Sequence, residues 1–328
     1  MSFFAPPPQM QTTIFTRLPD RFRNPKRNSW ADTNRGGRPI DSFLEGPSFD
    51  RQGRLYVTDI PYGRIFRFDQ AGEWDLVTQY DGWPNGLKIH RDGQIYITDY
   101  KRGLMRLAPQ SGVVTPFLET VGSEGFKGVN DLVFGRSGNL YLTDQGQKTG
   151  MHDPIGRVYH LSPDGRPSCL LDTIPSPNGI VVDEAETHLL VAVTRANQIW
   201  RVPLHASGLV TKVGIFAHLH GGPAGPDGLA LDAEGCLLGC PYRLWQHLAA
   251  LSLRGAAAAY RLLRRALDHQ PGLWRPREPP SLHHRNRLHP ARGMSGAGAD
   301  DGLASLTLKG PKHDHRFSYP PPYTLRFS

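Results

Sequence analysis

Residues 44–69 read LEGPSFDRQGRLYVTDIPYGRIFRFD, and related stretches recur along the chain. Each copy leads from a short polar segment into an apolar one, then through a Gly-bearing turn into a strand of the LYVTD type. The later copies begin at residues 84 (PNGLKIHRDGQIYITD), 129 (VNDLVFGRSGNLYLTD), 177 (PNGIVVDEAETHLLVAV) and 226 (PDGLALDAEG). Apolar, β-branched and aromatic runs separated by such turns are typical of strands joined by hairpins.

The spacing of the leading polar residues predicts the fold. Glu45, Asn85, Asn130, Asn178 and Asp227 follow one another at intervals of 40, 45, 48 and 49 residues. A period of this length is typical of four-stranded propeller blades. We therefore expect an all-β protein, a six-bladed β-propeller, with no convincing amphipathic helix before residue 240. A strand within residues 12–18 is expected to close the ring by pairing into the last blade.

Three segments are predicted along the chain. Residues 1–40 form an N-terminal extension that carries the closing strand, and residues 41–238 form the first blade to the start of the fifth. Residues 239–328 form a basic segment of low order. The formal net charge of +8 arises there, because residues 1–240 contain 24 Lys and Arg against 25 Asp and Glu, whereas residues 241–328 contain 14 against 5.

Composition narrows the class of partner. The basic residues lack interleaved aromatics on a defined fold, which argues against nucleic-acid binding. The chain shows neither a signal-peptide pattern in its first ten residues nor an apolar run long enough to span a bilayer. Its three cysteines are too few and too irregular for a disulfide framework. We therefore predict a cytoplasmic protein with a small-molecule partner and no membrane partner; the oligomeric state is not indicated.

The leading polar residues are also candidate metal ligands. The innermost strand of each blade starts at the channel of a propeller, so the side chains at its head point toward one central place. Two carboxylates and three amides supply only oxygen ligands, which suit a hard cation such as calcium, magnesium or manganese. A single Asn-Gly or Asp-Gly is more often a turn. The recurrence of these residues in one register favours the ligand interpretation.

On these motifs, residues 12–238 resemble the SMP-30/gluconolactonase/LRE-like family, the regucalcin group of propellers. The specific pieces are Glu45-Gly46-Pro47, Asn130-Asp131, Pro177-Asn178-Gly179 and Asp227-Gly228. The resemblance implies that Glu45, Asn130, Asn178 and Asp227 bind one divalent ion, with calcium favoured over magnesium, manganese or zinc. Members that bind sugar lactones often carry an Arg two residues before the second ligand, where this chain has Gly128.

The resemblance further implies a gluconolactonase-like lactone hydrolase. The bound ion would polarise the lactone carbonyl, and Asp227 would accept the proton of the attacking water. Asn85 and Lys148 are candidate substrate-binding residues, the latter on the long loop of the third repeat. Two alternatives stay open: a metal-dependent phosphotriesterase that uses the same residues, and a non-catalytic propeller that presents its loops to a protein partner.

The sequence changes character after about Leu238. Residues 239–328 contain no Val and no Ile, and Arg outnumbers Lys by 12 to 2. Read one base later, codons for residues 239–248, 268–275 and 281–293 permit VAHTGFGSIW, TTNLAYGG and LYITETGSILRAE, which continue the repeat. We therefore expect that one inserted base near codon 239 puts this segment out of frame. The alternative is a genuine basic extension.

Overall fold

The structure is a computed structural model that describes most of the chain up to residue 265. The described residues are 11–12, 14–146, 155–205, 210, 212–219, 225–232, 235–241, 247–252 and 261–265. Within them, no helix is long and apolar enough to cross a membrane. The candidate substrate-binding residue Lys148 lies outside the described residues, as do residues 266–328 of the predicted basic segment.

The N-terminal extension begins with a short strand and contains a helix that the sequence pattern did not predict. Strand β1 is Gln11–Thr12, and the helices are a 3-10 turn at Asp20–Phe22 and α1 at Ser29–Arg35. Asn28 caps the start of helix α1, because its side chain accepts a hydrogen bond from the Ala31 N–H, and Gly36, with φ of +60°, caps its end. The helix has only seven residues, too few to show a helical period, so the expectation of no convincing amphipathic helix is not contradicted.

The repeats fold into sheets whose strands are antiparallel neighbours in chain order. The strands of the first two sheets are β2 Leu44–Phe49, β3 Leu55–Asp59, β4 Arg64–Phe68 and β5 Trp74–Gln79, then β6 Pro84–Ile89, β7 Ile95–Asp99, β8 Gly103–Ala108 and β9 Val113–Leu118. A small hairpin of β10 Thr120–Val121 and β11 Glu124–Gly125 follows. Two further 3-10 turns occupy Ile60–Tyr62 and Thr194–Ala196.

The third, fourth and fifth sheets repeat the arrangement. Their strands are β12 Val129–Phe134, β13 Leu140–Asp144, β14 Ile155–Leu161 and β15 Pro167–Pro175; β16 Pro177–Val182, β17 His188–Val193, β18 Gln198–Pro203 and β19 Gly214–His218; and β20 Pro226–Leu231, β21 Cys236–Pro241, β22 His247–Ser252 and β23 Arg261–Arg265. Strand β1 pairs in parallel with β23, so the fifth sheet has five strands.

The sheets are arranged as a propeller, with the first strand of each innermost. Strands β2, β6, β12, β16 and β20 lie side by side in that order. The second strands β3, β7 and β13 are buried along their whole length. A neighbouring blade covers each face of β7 and β13, whereas β3 is covered by the second blade on one face and by the N-terminal residues Leu18 and Phe22 on the other. This explains their nearly continuous apolar sequence. The all-β propeller is therefore confirmed with four complete four-stranded blades among the described residues, and the six-bladed ring stays a prediction.

The closing strand is shorter than expected. It comprises Gln11–Thr12, whereas residues 14–18 have no regular structure. Leu18 instead packs into the core of the first blade beside Phe66 and Trp74. The N-terminal extension is thus divided between two places, with its strand in the fifth sheet and its apolar side chains on the first blade.

Candidate metal centre

The five leading polar residues occupy equivalent places in the structure. Each is the second residue of the innermost strand of its sheet: Glu45 in β2, Asn85 in β6, Asn130 in β12, Asn178 in β16 and Asp227 in β20. Because these strands are neighbours around the ring, the five residues share one end of the channel. Asn130 and Asn178 are buried, whereas Glu45, Asn85 and Asp227 are partly buried.

A β-bulge interrupts the regular ladder at or beside each of these residues. The register between first and second strands shifts between Pro84 and Leu87, and at the equivalent point of the third, fourth and fifth sheets, so the bulge includes Asn85, Asn130, Asn178 and Asp227. In the first sheet the shift falls one residue later, and Glu45 pairs with Thr58. A bulge bends the strand and re-aims the side chains at its extra residue.

The glycine after the polar residue lets the innermost strands approach closely. A Cβ at Gly46 would overlap the Asn85 carbonyl, one at Gly86 would lie 2.6 Å from the Asn130 carbonyl oxygen, and one at Gly179 would lie 2.5 Å from the Asp227 carbonyl oxygen. No side chain fits at such separations. The Gly of the repeated motif therefore serves close packing at the channel, in addition to any role in a turn.

The donor set fits a hard divalent cation. Glu45 and Asp227 offer carboxylate oxygens, and Asn130 and Asn178 offer amide oxygens, a combination that calcium accepts. Among the described residues, no three His, Cys, Asp or Glu side chains converge as a metal cluster. An ion held at this end of the channel therefore depends on the amides as well as the carboxylates.

Asp131 adds a buried charge beside this set. It takes the place that glycine has in the other four repeats, and its carboxylate accepts hydrogen bonds from the Leu132 N–H at 2.8 Å and the Ile180 N–H at 3.2 Å. The ammonium nitrogen of Lys88 lies 3.9 Å from the same carboxylate. Asp131 thus connects the second, third and fourth blades next to Asn130.

The Thr-Asp pair of the LYVTD strands contributes contacts that the sequence did not reveal. Thr58, Thr98 and Thr143 are fully buried, and each donates its hydroxyl to a backbone carbonyl of the next blade. The acceptors are the carbonyls of Asn85 at 2.7 Å, Asn130 at 2.5 Å and Asn178 at 2.7 Å. The recurrence of Thr in the repeat indicates a shared role, but the sequence does not show which carbonyl each hydroxyl contacts.

The aspartates of the same pairs anchor the loops at the ligand end. Asp59 accepts the Phe43 N–H at 2.7 Å and pairs with Arg64 at 2.6 Å, while Asp144 accepts the N–H groups of Lys127 and Gly146 at 2.8 and 3.0 Å. Burial raises the pKa of both carboxyl groups above their ordinary value, and these donors oppose the rise. Their hydrogen bonds support the channel mouth structurally.

Comparison with known proteins agrees with this geometry. The family model for the SMP-30/gluconolactonase/LRE-like region matches residues 43–255. The chain belongs to this family. The resemblance seen in the motifs is thereby confirmed, whereas the ligand roles of individual residues stay predictions.

Named relatives in the family include lactonases. The chain is 29% identical over 202 residues to the lactonase drp35 of Staphylococcus aureus strain MRSA252, a match that covers 58% of this chain and 61% of the relative. The chain thus spans about three fifths of the length of the curated relatives it matches. Lactonase drp35 of Staphylococcus epidermidis is 28% identical over 203 residues, with the same coverage of both chains.

Solved structures of the family share the fold. A calcium-binding regucalcin from Agrobacterium tumefaciens C58 superposes with a TM-score of 0.58 at 22% identity, covering 77% of this chain and 80% of its own. A gluconolactonase from Xanthomonas campestris gives a TM-score of 0.54 at 19% identity, covering 67% and 86%. At these identities the similarity shows the propeller fold alone.

The mouth of the channel departs from the sugar-lactone members of the family at Gly128. A Cβ at this position would overlap the ring of Tyr100, whose hydroxyl donates to the Gly146 carbonyl at 3.3 Å. The Tyr100 ring packs beside Trp83, with centroids 5.9 Å apart. The aromatic ring therefore occupies the space through which an Arg side chain at residue 128 would leave the backbone.

Proposed function

We propose that the chain is a metal-dependent lactone hydrolase of the gluconolactonase type. The observation that carries the proposal is the set of five oxygen-bearing side chains, each at the head of an innermost strand, with a β-bulge at or directly after each of them. The lactonase and gluconolactonase names among its relatives support the same class of reaction. Calcium is the favoured ion, in keeping with the calcium-binding regucalcin.

The protein groups divide the work between holding the ion and moving a proton. Glu45, Asn130, Asn178 and Asp227 would hold the ion; only two of these four side chains are charged, which keeps the site less negative than a cluster of four carboxylates. A divalent cation bound there would polarise the lactone carbonyl and favour charge on its oxygen. Asp227 holds the attacking water and accepts its proton, so ring opening yields the hydroxy acid. Asn85 lies beside Glu45 and is proposed to contact the substrate.

The preferred substrate is proposed to be a small γ-lactone with few hydroxyl groups. The ring of Tyr100, which packs beside Trp83, excludes a side chain at residue 128. The site therefore lacks a guanidinium at this position, whose N–H donors could bind the hydroxyl groups of a polyol. Aldonolactones such as gluconolactone are therefore expected to be weaker substrates than γ-butyrolactone.

Replacement of Asp227 by Asn tests the proposal. The variant should keep most of the affinity for calcium, because an amide oxygen remains, but lose proton acceptance. We expect kcat for γ-butyrolactone to fall by about 10²- to 10⁴-fold, measured by pH-stat titration of the released acid. Asp232→Asn is the matched control, since Asp232 directly follows the last residue of the same strand and accepts the Cys236 N–H.

Three results would contradict the proposal. A kcat for Asp227→Asn close to that of the wild type would exclude the general base. Hydrolysis of phosphotriesters such as paraoxon, with no turnover of any lactone, would assign the chain to the phosphotriesterase alternative. If the chain hydrolyses no ester in a reaction that EDTA abolishes, the non-catalytic propeller would be favoured.

A further inference from the structure

We infer that Thr98 and Thr143 are positioning residues for the metal ligands Asn130 and Asn178, so that each blade sets the ligand of the blade that follows it. The inference rests on the proposed function, because it takes the two asparagines as ligands. It goes beyond that proposal by assigning the geometry of each ligand to a hydroxyl group in a different blade.

The contact is the same at three successive blade boundaries. Thr58, Thr98 and Thr143 each lie one residue before the last residue of a second strand, and none has any exposed surface. Each hydroxyl reaches the main-chain carbonyl of the leading polar residue in the next innermost strand, over sequence separations of 27, 32 and 35 residues. Because the contact recurs at three blade boundaries, we take it to be a feature of the repeat.

The bulge explains why this carbonyl needs a partner from outside its own sheet. In the second, third and fourth sheets the register shifts at the leading polar residue, and regular pairing resumes only at Leu87, Leu132 and Ile180. A buried carbonyl without a partner costs free energy. The threonine hydroxyl satisfies it and fixes the peptide that carries the ligand side chain.

The fourth blade lacks the threonine of this contact. Its second strand reads HLLVAV, with Ala192 and Val193 where the other blades have Thr and Asp. Thr194, which directly follows Val193, donates instead to the carbonyl of Pro226 at 2.7 Å, and Pro226 is the residue before Asp227. The fourth blade therefore also donates a threonine hydroxyl to the next innermost strand, but both the donor and the acceptor carbonyl differ in position.

Fixing the peptide matters because metal affinity depends on ligand placement. Groups that orient a ligand from outside the coordination sphere typically change metal affinity 10- to 100-fold when they are removed. Thr98 holds Asn130 and Thr143 holds Asn178. Thr58 makes the same hydrogen bond but holds Asn85, which is proposed to contact the substrate and not the ion.

The chain thus contains its own matched control. Thr98→Val and Thr143→Val remove only the hydroxyl while keeping the β-branched shape, and Thr58→Val removes the equivalent hydroxyl at an equally buried place. All three variants leave a buried carbonyl unpaired, and Thr143→Val also removes the acceptor of the buried Asp131 N–H at 3.1 Å. Similar losses of thermal stability are therefore expected for Thr58→Val and Thr98→Val, and a larger loss for Thr143→Val. Only Thr98→Val and Thr143→Val should change the affinity for an ion.

The experiment is calorimetric titration of the full chain with Ca²⁺ alone, together with thermal unfolding of each metal-free variant. We expect Thr98→Val and Thr143→Val to weaken Ca²⁺ binding by about 10-fold or more. Thr58→Val should stay within about twofold of the wild type and instead raise KM for γ-butyrolactone. Thr98→Ser and Thr143→Ser should restore the affinity, because serine keeps the hydroxyl.

The outcomes separate this inference from the proposed function. Ca²⁺ binding by the wild type with equal affinities for all three valine variants would overturn the positioning role alone. A wild-type chain that binds neither Ca²⁺ nor Mn²⁺ would overturn the metal centre and this inference with it. Loss of affinity without rescue by serine would also overturn it, since the hydroxyl would then not be the cause.

Discussion

The first four sheets and the fifth sheet differ in the sequences from which they are built. In the first three blades the second strand reads LYVTD, IYITD or LYLTD, and in the fourth HLLVAV. The fifth sheet begins in the same manner with PDGLAL but continues with CLLGCP, HLAALS and RLLRR. Its last three strands contain no Val, no Ile and no aspartate.

The difference shows where along the chain the repeated sequence pattern ends. Strand β20 carries Asp227 and its bulge as the other innermost strands do, so the fifth sheet begins regularly. The change falls inside β21, at the point where the sequence predicts a shift of reading frame. Branched residues favour strands because they pack well on a pleated surface, and the later strands lack them. The four predictions below test this contrast, from the largest expected effect to the smallest.

The largest effect is expected from removing one base at codon 239 of the gene. We propose that the corrected frame encodes VAHTGFGSIW after Leu238 and continues the blade pattern. The corrected protein should unfold cooperatively at a clearly higher temperature than the chain with GCPYRLWQHL, and should be the more active lactonase. Resequencing of the gene across codon 239, followed by thermal unfolding of both proteins, provides the measurement.

Two results would contradict the predicted shift of reading frame. Independent sequencing that returns an uninterrupted frame for GCPYRLWQHL would remove its basis. Equal unfolding temperatures for the two proteins would show that residues 239–328 are a genuine extension that the fold accepts.

A second, smaller effect is expected within the regular blades. Asp59→Ala should lower the free energy of unfolding by about 3–5 kcal/mol, because it leaves the buried guanidinium of Arg64 without its carboxylate. Asp75→Ala is the control from the same blade, since the Arg67–Asp75 pair is largely exposed and contributes at most about 1 kcal/mol. Urea denaturation measures both. Equal losses would mean that the Thr-Asp pair does not stabilise the regular blades.

The third prediction concerns the mouth between the second and third blades. Gly128→Arg should destabilise the fold by about 1–3 kcal/mol, because its Cβ overlaps the Tyr100 ring. Adding Tyr100→Ala should recover most of this loss and raise the ratio of kcat/KM for gluconolactone to that for γ-butyrolactone. A single Gly128→Arg variant as stable as the wild type would show that Tyr100 does not exclude a side chain there.

The smallest effect is expected from acid at His160 in the third blade. Burial lowers the pKa of this imidazole, which contacts Asn139 Oδ1 at 2.7 Å and stacks on Tyr141. The folded state therefore favours neutral histidine, and the unfolded chain binds the proton first as the pH falls through about 6.5. Stability should decrease slightly from pH 7.5 to pH 5.5, and less so in His160→Gln. Identical pH dependence of the melting temperature in both proteins would refute this.

The sequence alone determined the strand repeat, its period and the five leading polar residues. These features are local, since the alternation of apolar residues and the turn glycines act within a few residues of one another. For the same reason the family could be recognised from four short motifs. Helix α1 escaped prediction because its seven residues bury only Trp30 and Ala31, which is too little for a periodic pattern.

Only the tertiary structure decided what surrounds the leading polar residues. The bulge depends on the register with a second strand, the Thr98–Asn130 contact joins two blades, and Tyr100 meets Gly128 across a blade boundary. The last two require residues that are about 30 positions apart in the sequence to meet across a blade boundary. Local pattern specifies which residues begin each blade, but the packing of one blade on the next decides where their oxygen atoms lie.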